Sequence, residues 1–460
     1  MTQAKKIRLP AKASLFYTLS IIASRAVGIL TTPLFTRAMS SAEYGSYSYY
    51  ISILSITSMI SGVFLTPAVF YSCLGRFSDN KRGLSDTAIL LNTVINLGIC
   101  LVLFAFNGVI GIEMQITIII FIQIFFDSIV SAELLSDKFS YSYGRVVIIN
   151  LSSAILGALI SILLVFAFDL GAMGRILGLL LSGAAISFYL VLRRSDEGKI
   201  EPRALSFLLK SALPLIPAVI AKAFAGFSDK LIIKAFIGVD ALGKYSVAHT
   251  VGTALFSLIT SLSSALTPWI IRKLRRSESG SVISVTRELS AIISWGGSIL
   301  IALAPEIFSF LAPSSYKDAM YVIAPLAISA LPYFLFTINS AIAGFDEGMS
   351  WISAATLTGA AISILANLFL IPRIGYIGGG IAYLISEVAM CFISSLFIRK
   401  RRKEIMEAMM PRGEIYLSLG IGLAFLLLYN LALLRIFLLI IPAIMAIKHG
   451  FTCLDLAKEK

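Results

Sequence analysis

The sequence predicts an all-α integral membrane protein that consists of two six-helix bundles, arranged as parallel repeats, and a C-terminal helical hairpin. Three observations predict this fold class: an apolar composition, a series of long apolar runs, and motifs that recur in the two halves of the chain. Of the 460 residues, 58% are hydrophobic and 14% are charged, whereas soluble domains carry about 25% charged residues. The mean hydropathy is +0.91. The composition therefore excludes most soluble enzymes.

Apolar runs along the chain define the predicted transmembrane helices. A helix needs about 20 apolar residues to cross a bilayer, and twelve runs of this kind are clear. They cover residues 14–36, 44–71, 87–106, 115–134, 146–168, 176–192, 208–233, 245–269, 289–311, 320–343, 351–371 and 378–398. A last apolar stretch, 415–447, is long for one helix and slightly short for two, and we favour a hairpin that turns near residues 430–435. The prediction is about 14 transmembrane helices.

The first run resembles a signal peptide because basic residues precede it at positions 5–12. No small-residue cleavage site follows, so we interpret this run as a retained first span. Proline removes a backbone hydrogen bond from a helix. We therefore expect Pro214 and Pro217 to interrupt span 7, and Pro325 and Pro332 to interrupt span 10.

Lysine and arginine are unevenly divided between alternate loops. One set of loops carries basic clusters such as 272–276 and 399–403, and the other carries single cations such as Arg37, Lys317 and Arg373. Because cytoplasmic loops of membrane proteins are enriched in Lys and Arg, both termini are predicted to be cytoplasmic. The net charge of +13 is thus explained by topology, and we expect no nucleic acid partner.

Two sequence motifs recur between the halves of the chain. SSAEYGSYSYYIS (40–52) aligns with GVDALGKYSVAHT (238–250), and LGAMGRILGLLLS (170–182) aligns with IGYIGGGIAYLIS (374–386). An even number of spans separates the copies, which predicts parallel repeats related by an axis along the membrane normal. The predicted domains are an N-terminal bundle at 1–195, a C-terminal bundle at 196–403, and an accessory hairpin with a tail at 404–460.

The sequence contains no recognisable catalytic or metal-binding motif. Its four cysteines show no CxxC spacing, and no HExxH, Walker A or GxSxG pattern is present. We therefore expect no metal site, no bound cofactor and no enzymatic activity.

Charged residues within the apolar runs are the candidate site residues. Arg25 lies about eleven residues, or ~16 Å, into span 1, and Lys222 lies at a comparable depth in span 7. Charges at such depth are costly and usually face a wet cavity or a counter-ion. Two cations at matching positions of parallel repeats indicate an anion site, with a diphosphate as the natural ligand. Asp229 and Lys230 are added to this substrate cavity, which would hold the diphosphate and its sugars.

Each of these charges also has a purely structural interpretation. Arg25 could pair with Asp127 of span 4, Lys222 could pair with Asp229, and Lys230 could be solvated near the outer interface.

Two carboxylates deep in apolar runs are candidates for coupling to a Na+ or H+ gradient. They are Asp127 and Glu387, and helix packing is the alternative for both. Glu306 suits an interface anchor as well as a functional role, and His249 is interpreted as an interhelical hydrogen-bonding residue.

Three segments resemble a known family. NLFLIPRIGYIGGGIAYLISE (367–387), SDKLIIKAFIGVDALGKYSVA (228–248) and SSAEYGSYSYY (40–50) resemble bacterial polysaccharide exporters of the multidrug/oligosaccharidyl-lipid/polysaccharide (MOP) superfamily. The resemblance implies the fold of multidrug and toxin extruders (MATE), with two six-helix bundles around a central cavity. It also implies that Arg25 contacts a diphosphate, as an arginine of span 1 does in related lipid II flippases. Span 2 has no Arg or Lys, unlike the arginine cluster of those flippases.

The resemblance implies a Wzx-type flippase of the bacterial inner membrane. Such proteins move undecaprenyl-diphosphate-linked oligosaccharide repeat units between leaflets by alternating access, for O-antigen of lipopolysaccharide, capsule or exopolysaccharide synthesis. The expected partners are the lipid-linked oligosaccharide, membrane lipids, and polysaccharide polymerase and glycosyltransferases. The alternatives are a lipid II flippase and an ion-coupled multidrug or cation exporter. An integral membrane glycosyltransferase or polymerase is a third class, which the short outer loops disfavour.

Overall fold

The computed structural model describes residues 3–77, 81–111, 113–140, 142–193, 202–409 and 413–458. These residues form helices and short connections without any strand, which confirms the predicted all-α fold class. The chain divides into two compact units, Met1–Phe227 (unit 1) and Ser228–Lys460 (unit 2). This boundary falls within one helix. The predicted boundary at 195/196 lies outside the described residues, and the helices after residue 403 are part of unit 2.

The helices of unit 1 correspond closely to the predicted spans. They are α1 (Gln3–Ala38), α2 (Ser41–Ser61), α3 (Pro67–Arg76), α4 (Lys81–Ala105), the single turn α5 (Asn107–Ile110), α6 (Met114–Phe139), α7 (Tyr143–Phe166), α8 (Gly171–Leu192), α9 (Pro202–Ala212) and α10 (Ile216–Phe236), whose last residues belong to unit 2.

Unit 2 continues the same pattern. Its helices are α11 (Val239–Gly252), α12 (Ala254–Arg275), α13 (Ser279–Leu311), α14 (Ile323–Phe345), α15 (Met349–Ile374), α16 (Ile377–Arg401), α17 (Lys403–Met409), α18 (Gly413–Leu427), α19 (Ala432–Leu438) and α20 (Ile440–Lys458). Among the described residues, twelve helical segments are long and apolar enough to cross a membrane, or thirteen if α11 and α12 form one bent span.

Local sequence explains where several helices begin and break. Ser40 and Glu43 form a capping box at the start of α2, with backbone N–H groups donating to both side chains, an arrangement that satisfies the free donors of a helix N-terminus. A 3-10 segment at Leu213–Leu215 separates α9 from α10, so the predicted interruption at Pro214 is confirmed. In contrast, α14 continues through Pro332. The prediction of a break there is wrong, because a membrane helix can contain proline when its neighbours satisfy the freed carbonyl.

Glycines of the repeated motif allow close helix packing in both units. A Cβ added to Gly174 of α8 would lie 3.1 Å from the backbone carbonyl carbon of Leu164 in α7. A Cβ on Gly378, the aligned residue of α16, would lie 2.7 Å from the backbone carbonyl carbon of Leu370 in α15. A side chain at either position would press on the backbone of the neighbouring helix. The motif therefore specifies the same helix pair, α7–α8 and α15–α16, in the two repeats.

The C-terminal helices form a hairpin along α13. Ser298 of α13 donates a hydrogen bond of 2.6 Å to the carbonyl oxygen of Ser418 in α18. At one end, His449 of α20 contacts both Glu288 of α13 and Glu414 of α18, at 2.6 and 3.0 Å. The chain reverses at residues 428–431, which agrees with the predicted turn near Asn430.

Candidate functional site

Unit 1 contains a polar cavity at mid-depth of its helices. The cavity has a volume of about 490 Å³ and is bordered by α1, α2, α6, α7 and α8. Its polar lining consists of one cation, one carboxylate, two amides and three hydroxyl groups: Arg25, Asp127, Gln123, Asn150, Ser24, Ser153 and Ser182. Charged groups are rare in transmembrane helices and usually line a water-filled path or a ligand site. This cavity is the candidate substrate site of unit 1.

Two hydrogen bonds hold α1 against α7 at the edge of the cavity. The hydroxyl of Ser24 donates to the backbone carbonyl of Asn150 at 3.2 Å. The side-chain amide of Asn150 donates to the hydroxyl of Ser20 at 3.2 Å. These contacts fix the rotation of α1 about its axis, so that Arg25 lies on the cavity side and stays exposed.

The carboxylate of the cavity is oriented by its neighbour one helical turn earlier. Gln123 Nε2 donates to both oxygens of Asp127, at 3.0 and 3.1 Å. Gly183 of α8 faces this pair, because a Cβ added there would lie 3.4 Å from Asp127 Oδ1 and 3.3 Å from Gln123 Nε2. The missing side chain at position 183 therefore leaves room above the carboxylate.

Unit 2 contains a second polar cluster, centred on Asp229 of α10. The hydroxyl of Tyr245 in α11 donates to Asp229 Oδ2 at 2.5 Å, and His249 Nε2 lies 3.9 Å from the same oxygen. The ring of His249 also packs against that of Tyr383 in α16, with centroids 6.1 Å apart. The separation of His249 from Asp229 is longer than a hydrogen bond, so the role of His249 as an interhelical hydrogen-bonding residue stays a prediction.

Several oxygens in this part of unit 2 are buried without a hydrogen-bond partner among the described residues. They are Asp229 Oδ1, Asn367 Oδ1 and Glu387 Oε2. Asn367 of α15 also donates to the hydroxyl of Ser228 in α10 at 3.0 Å. Buried oxygens without donors are costly, which marks these groups as candidates for a ligand, a proton or water. Within the described chain, no group of three or more His, Cys, Asp or Glu residues is arranged to bind a metal ion.

The structure brings together some of the predicted site residues and separates others. Arg25 and Asp127 line one cavity, whereas Lys222 is exposed on α10 and is absent from the described lining of that cavity. Asp229 and Lys230 follow one another on α10, with Asp229 buried and Lys230 half-buried. Glu387 is buried on α16, one turn from Tyr383. The functional roles of these residues stay predictions.

The sequence analysis missed most of the uncharged lining of the cavity. Gln123 could have been identified from the sequence. It lies one helical turn before Asp127 in an otherwise apolar run, and residues four apart share a helix face. Asn150, Ser153 and Ser182 could not, because single small polar residues are common in membrane helices.

Comparison with solved structures defines the fold. The chain is similar to the lipid II flippase MurJ in an inward closed conformation, with a TM-score of 0.69, 13% identity, and coverage of 92% of this chain and 100% of that one. It is also similar to a MATE family multidrug resistance transporter of the MOP superfamily in an inward-facing conformation, with a TM-score of 0.63, 12% identity and coverage of 87% and 98%. The outward-facing conformation of such a transporter gives a TM-score of 0.58 at 13% identity, with coverage of 88% and 100%. At these identities the similarity shows the fold, which is shared with MurJ and with MATE family transporters.

Sequence comparison then gives the family. The model of the polysaccharide biosynthesis protein family matches residues 11–274, and the chain belongs to this family. A search of curated proteins finds no match. The chain is therefore a member of the polysaccharide biosynthesis protein family with the fold of MurJ and MATE family transporters, which agrees with the family resemblance of the sequence motifs.

Proposed function

We propose that this protein is a flippase that moves undecaprenyl-diphosphate-linked oligosaccharide repeat units across the bacterial inner membrane by alternating access. The observation that carries the proposal is the exposed guanidinium of Arg25 in a polar cavity within the transmembrane helices. A guanidinium is always charged and binds phosphate through paired hydrogen bonds. The lipid tail would stay in the bilayer while the diphosphate and sugars cross through the polar path, which spares them transfer into hydrocarbon.

Membership in the polysaccharide biosynthesis family supports a repeat-unit substrate. A lipid II flippase is the nearest alternative, because MurJ, a lipid II flippase, shares the fold. A cation exporter is less well supported, since a guanidinium in the cavity repels a cationic substrate. The proposed setting is a multi-pass inner-membrane protein with both termini in the cytoplasm, acting beside the polymerase and glycosyltransferases that use the same lipid-linked sugars.

Transport in one direction needs an energy source, and we propose coupling to a Na+ or H+ gradient through a buried carboxylate. Glu387 is the stronger of the two candidates because one of its oxygens is buried without a donor among the described residues. Asp127 already accepts two hydrogen bonds from Gln123. Glu387→Gln should abolish the dependence of transport on the gradient while leaving the protein inserted.

The test of the proposed function is substitution of the two intramembrane cations. Arg25→Ala should abolish export of polysaccharide with normal protein abundance, because each hydrogen bond to a charged group contributes about 1.5–3 kcal/mol. Lys222→Ala should have the same effect. Arg25→Lys should restore export in part, since lysine keeps the charge but lacks the paired donors. Arg37→Ala is the matched control, because Arg37 lies on the same helix and outside the described cavity lining. Normal export by Arg25→Ala and Lys222→Ala would contradict the proposal.

A further inference from the structure

We propose that the cavity of unit 1 is a subsite for the sugar joined to the diphosphate, with Asp127 and Gln123 as its hydrogen-bonding groups. The inference rests on the proposed function, because it takes a sugar-bearing diphosphate as the substrate. The proposed subsite adds two residues that bind the sugar, Asp127 and Gln123, and an opening at Gly183 through which the sugar reaches them. It also assigns Asp127 to substrate binding rather than to ion coupling.

The first observation is the unused hydrogen-bonding capacity of Asp127. A carboxylate has about four acceptor positions, and Gln123 Nε2 supplies the donor that reaches both oxygens. Two vicinal hydroxyl groups of a sugar present a pair of donors to one carboxylate, and bonds to an ionised acceptor are about twice as strong as neutral ones. A polyol is therefore a ligand that can use the remaining acceptor positions.

The second observation is an unsatisfied oxygen beside the carboxylate. Gln123 is 5% exposed, and its Oε1 is buried without a hydrogen-bond partner in the described part of the chain. Its amide nitrogen is already used by Asp127. A ligand that supplies a hydroxyl or amide donor at this point would satisfy Oε1. Asp127 and Gln123 Oε1 can therefore accept several hydrogen bonds from one ligand. A sugar with hydroxyl or acetamido groups has donors of this kind.

The third observation is the opening above Asp127 at Gly183. A Cβ at position 183 would be in tight contact with Gln123 and in van der Waals contact with Asp127, so a larger side chain would cover the carboxylate. The cavity volume of about 490 Å³ lies within the range of small-molecule sites. Gly183 therefore keeps the carboxylate of Asp127 accessible to a ring-sized group.

The charges of the cavity fit a diphosphate sugar better than a cation. Arg25 and Asp127 line the same cavity, so a ligand can place an anionic group near the first and neutral donors at the second. A diphosphate with a directly attached sugar combines these two groups in one molecule. A cationic drug could pair with Asp127 but would then lie in a cavity that also contains a guanidinium.

The experiment measures equilibrium binding to the full-length protein in lipid nanodiscs, where no ion gradient exists. The probes are undecaprenyl diphosphate and three lipids that carry N-acetylglucosamine, N-acetylgalactosamine or galactose on the same diphosphate. The variants are Asp127→Asn, which keeps the size of the side chain, and Gly183→Leu, which covers it. Gly98→Leu is the matched control, because a Cβ at Gly98 meets nothing within 4 Å. Size-exclusion profiles and unfolding temperatures verify that each variant is folded.

We expect wild-type protein to bind at least one sugar lipid about tenfold more tightly than undecaprenyl diphosphate, a factor that corresponds to about one charged hydrogen bond. Asp127→Asn and Gly183→Leu should remove this difference and leave affinity for undecaprenyl diphosphate within about twofold. Gly98→Leu should change neither affinity.

Other outcomes separate the two proposals. If undecaprenyl diphosphate binds through Arg25 but no sugar adds affinity, or if both variants weaken all lipids equally, the sugar subsite is wrong and the proposed function stands. If wild-type protein binds none of the four lipids, or if Arg25→Ala has no effect on any of them, the proposed function fails and the subsite fails with it.

Discussion

The ion pair between Arg435 and Glu306 is predicted to hold the C-terminal hairpin on α13. Arg435 of α19 is 1% exposed; its Nη2 donates to Glu306, and its Nη1 donates to the backbone carbonyl of Tyr429 at 2.8 Å. Arg435→Ala removes both bonds and leaves Glu306 without this partner. Breaking a buried pair costs about 3–5 kcal/mol. Because the Glu306 side chain is 40% exposed and can be hydrated, we expect the low end, about 3 kcal/mol.

The assay is thermal unfolding of purified protein in one detergent at one scan rate. For a unit of this size, about 1 kcal/mol shifts the unfolding temperature by roughly 2–4 °C, so Arg435→Ala should lower it by about 6–12 °C. Arg373→Ala is the control. Arg373 is exposed and donates to the carbonyl of Phe369 in its own helix at 2.9 Å, so its loss should change stability by less than about 0.5 kcal/mol.

A double-mutant cycle with Glu306→Gln isolates the pair. If the two side chains stabilise the hairpin together, the cost of Glu306→Gln should nearly disappear in the Arg435→Ala background. Additive effects, or an Arg435→Ala shift no larger than that of Arg373→Ala, would refute the reasoning.

Three further predictions concern packing, a surface pair and topology. Gly178→Ala should destabilise the protein by about 1–3 kcal/mol, because its Cβ would lie 2.6 Å from Ser161 Cα, whereas Gly98→Ala should be neutral in the same unfolding assay. Asp346→Asn should lower the free energy of unfolding by about 1–2 kcal/mol, because it weakens the paired 2.7 Å hydrogen bonds from Arg402. Arg402→Lys should retain only part of that stability. Equal stability of Asp346→Asn and wild type would contradict this prediction. In a background without native cysteines, cysteines at 277 and 404 should be labelled only from the cytoplasm and those at 113 and 317 only from outside; outside labelling at 404 would contradict the predicted orientation.

Hydropathy and proline positions predicted most helix boundaries, because an apolar segment that crosses a membrane must form a helix. Every apolar run of sufficient length must satisfy its own backbone hydrogen bonds, so run lengths predict the spans, and the turn near Asn430 could be predicted in the same way. The interruption at Pro214 followed from the loss of a backbone donor. Pro332 shows the limit of this rule, because tolerance of proline depends on neighbouring helices that sequence does not specify.

The site was harder to predict because hydropathy does not determine how each helix is rotated about its axis. Arg25 and Asp127 were each identified as charges at depth, but only the packing of α1, α6 and α7 places them in one cavity. The match between Arg25 and Lys222 came from spacing alone, and Lys222 is absent from the described lining of that cavity. Contacts such as Glu306 with Arg435 and Glu288 with His449 join residues more than a hundred positions apart, and no local pattern predicts them.

The repeated motif places a tyrosine at the same position in the two units, but the charged residue that the tyrosine contacts differs between them. In unit 1, the ring of Tyr47 lies 3.9 Å from the guanidinium carbon of Arg175, near the start of α8. The aligned Tyr245 of unit 2 lies against Gly379, where an added Cβ would be 3.2 Å from its hydroxyl oxygen.

Gly379 occupies the position in α16 that Arg175 occupies in α8, since each follows the aligned glycine of its motif. With no cation to stack on, the Tyr245 hydroxyl donates instead to the buried carboxylate of Asp229. The same tyrosine therefore packs on a cation in one unit and binds an anion in the other. The repeats share a backbone design, but a residue role inferred in one unit cannot be transferred to the other by alignment alone, which is why the pairing of Arg25 with Lys222 needs its own experimental test.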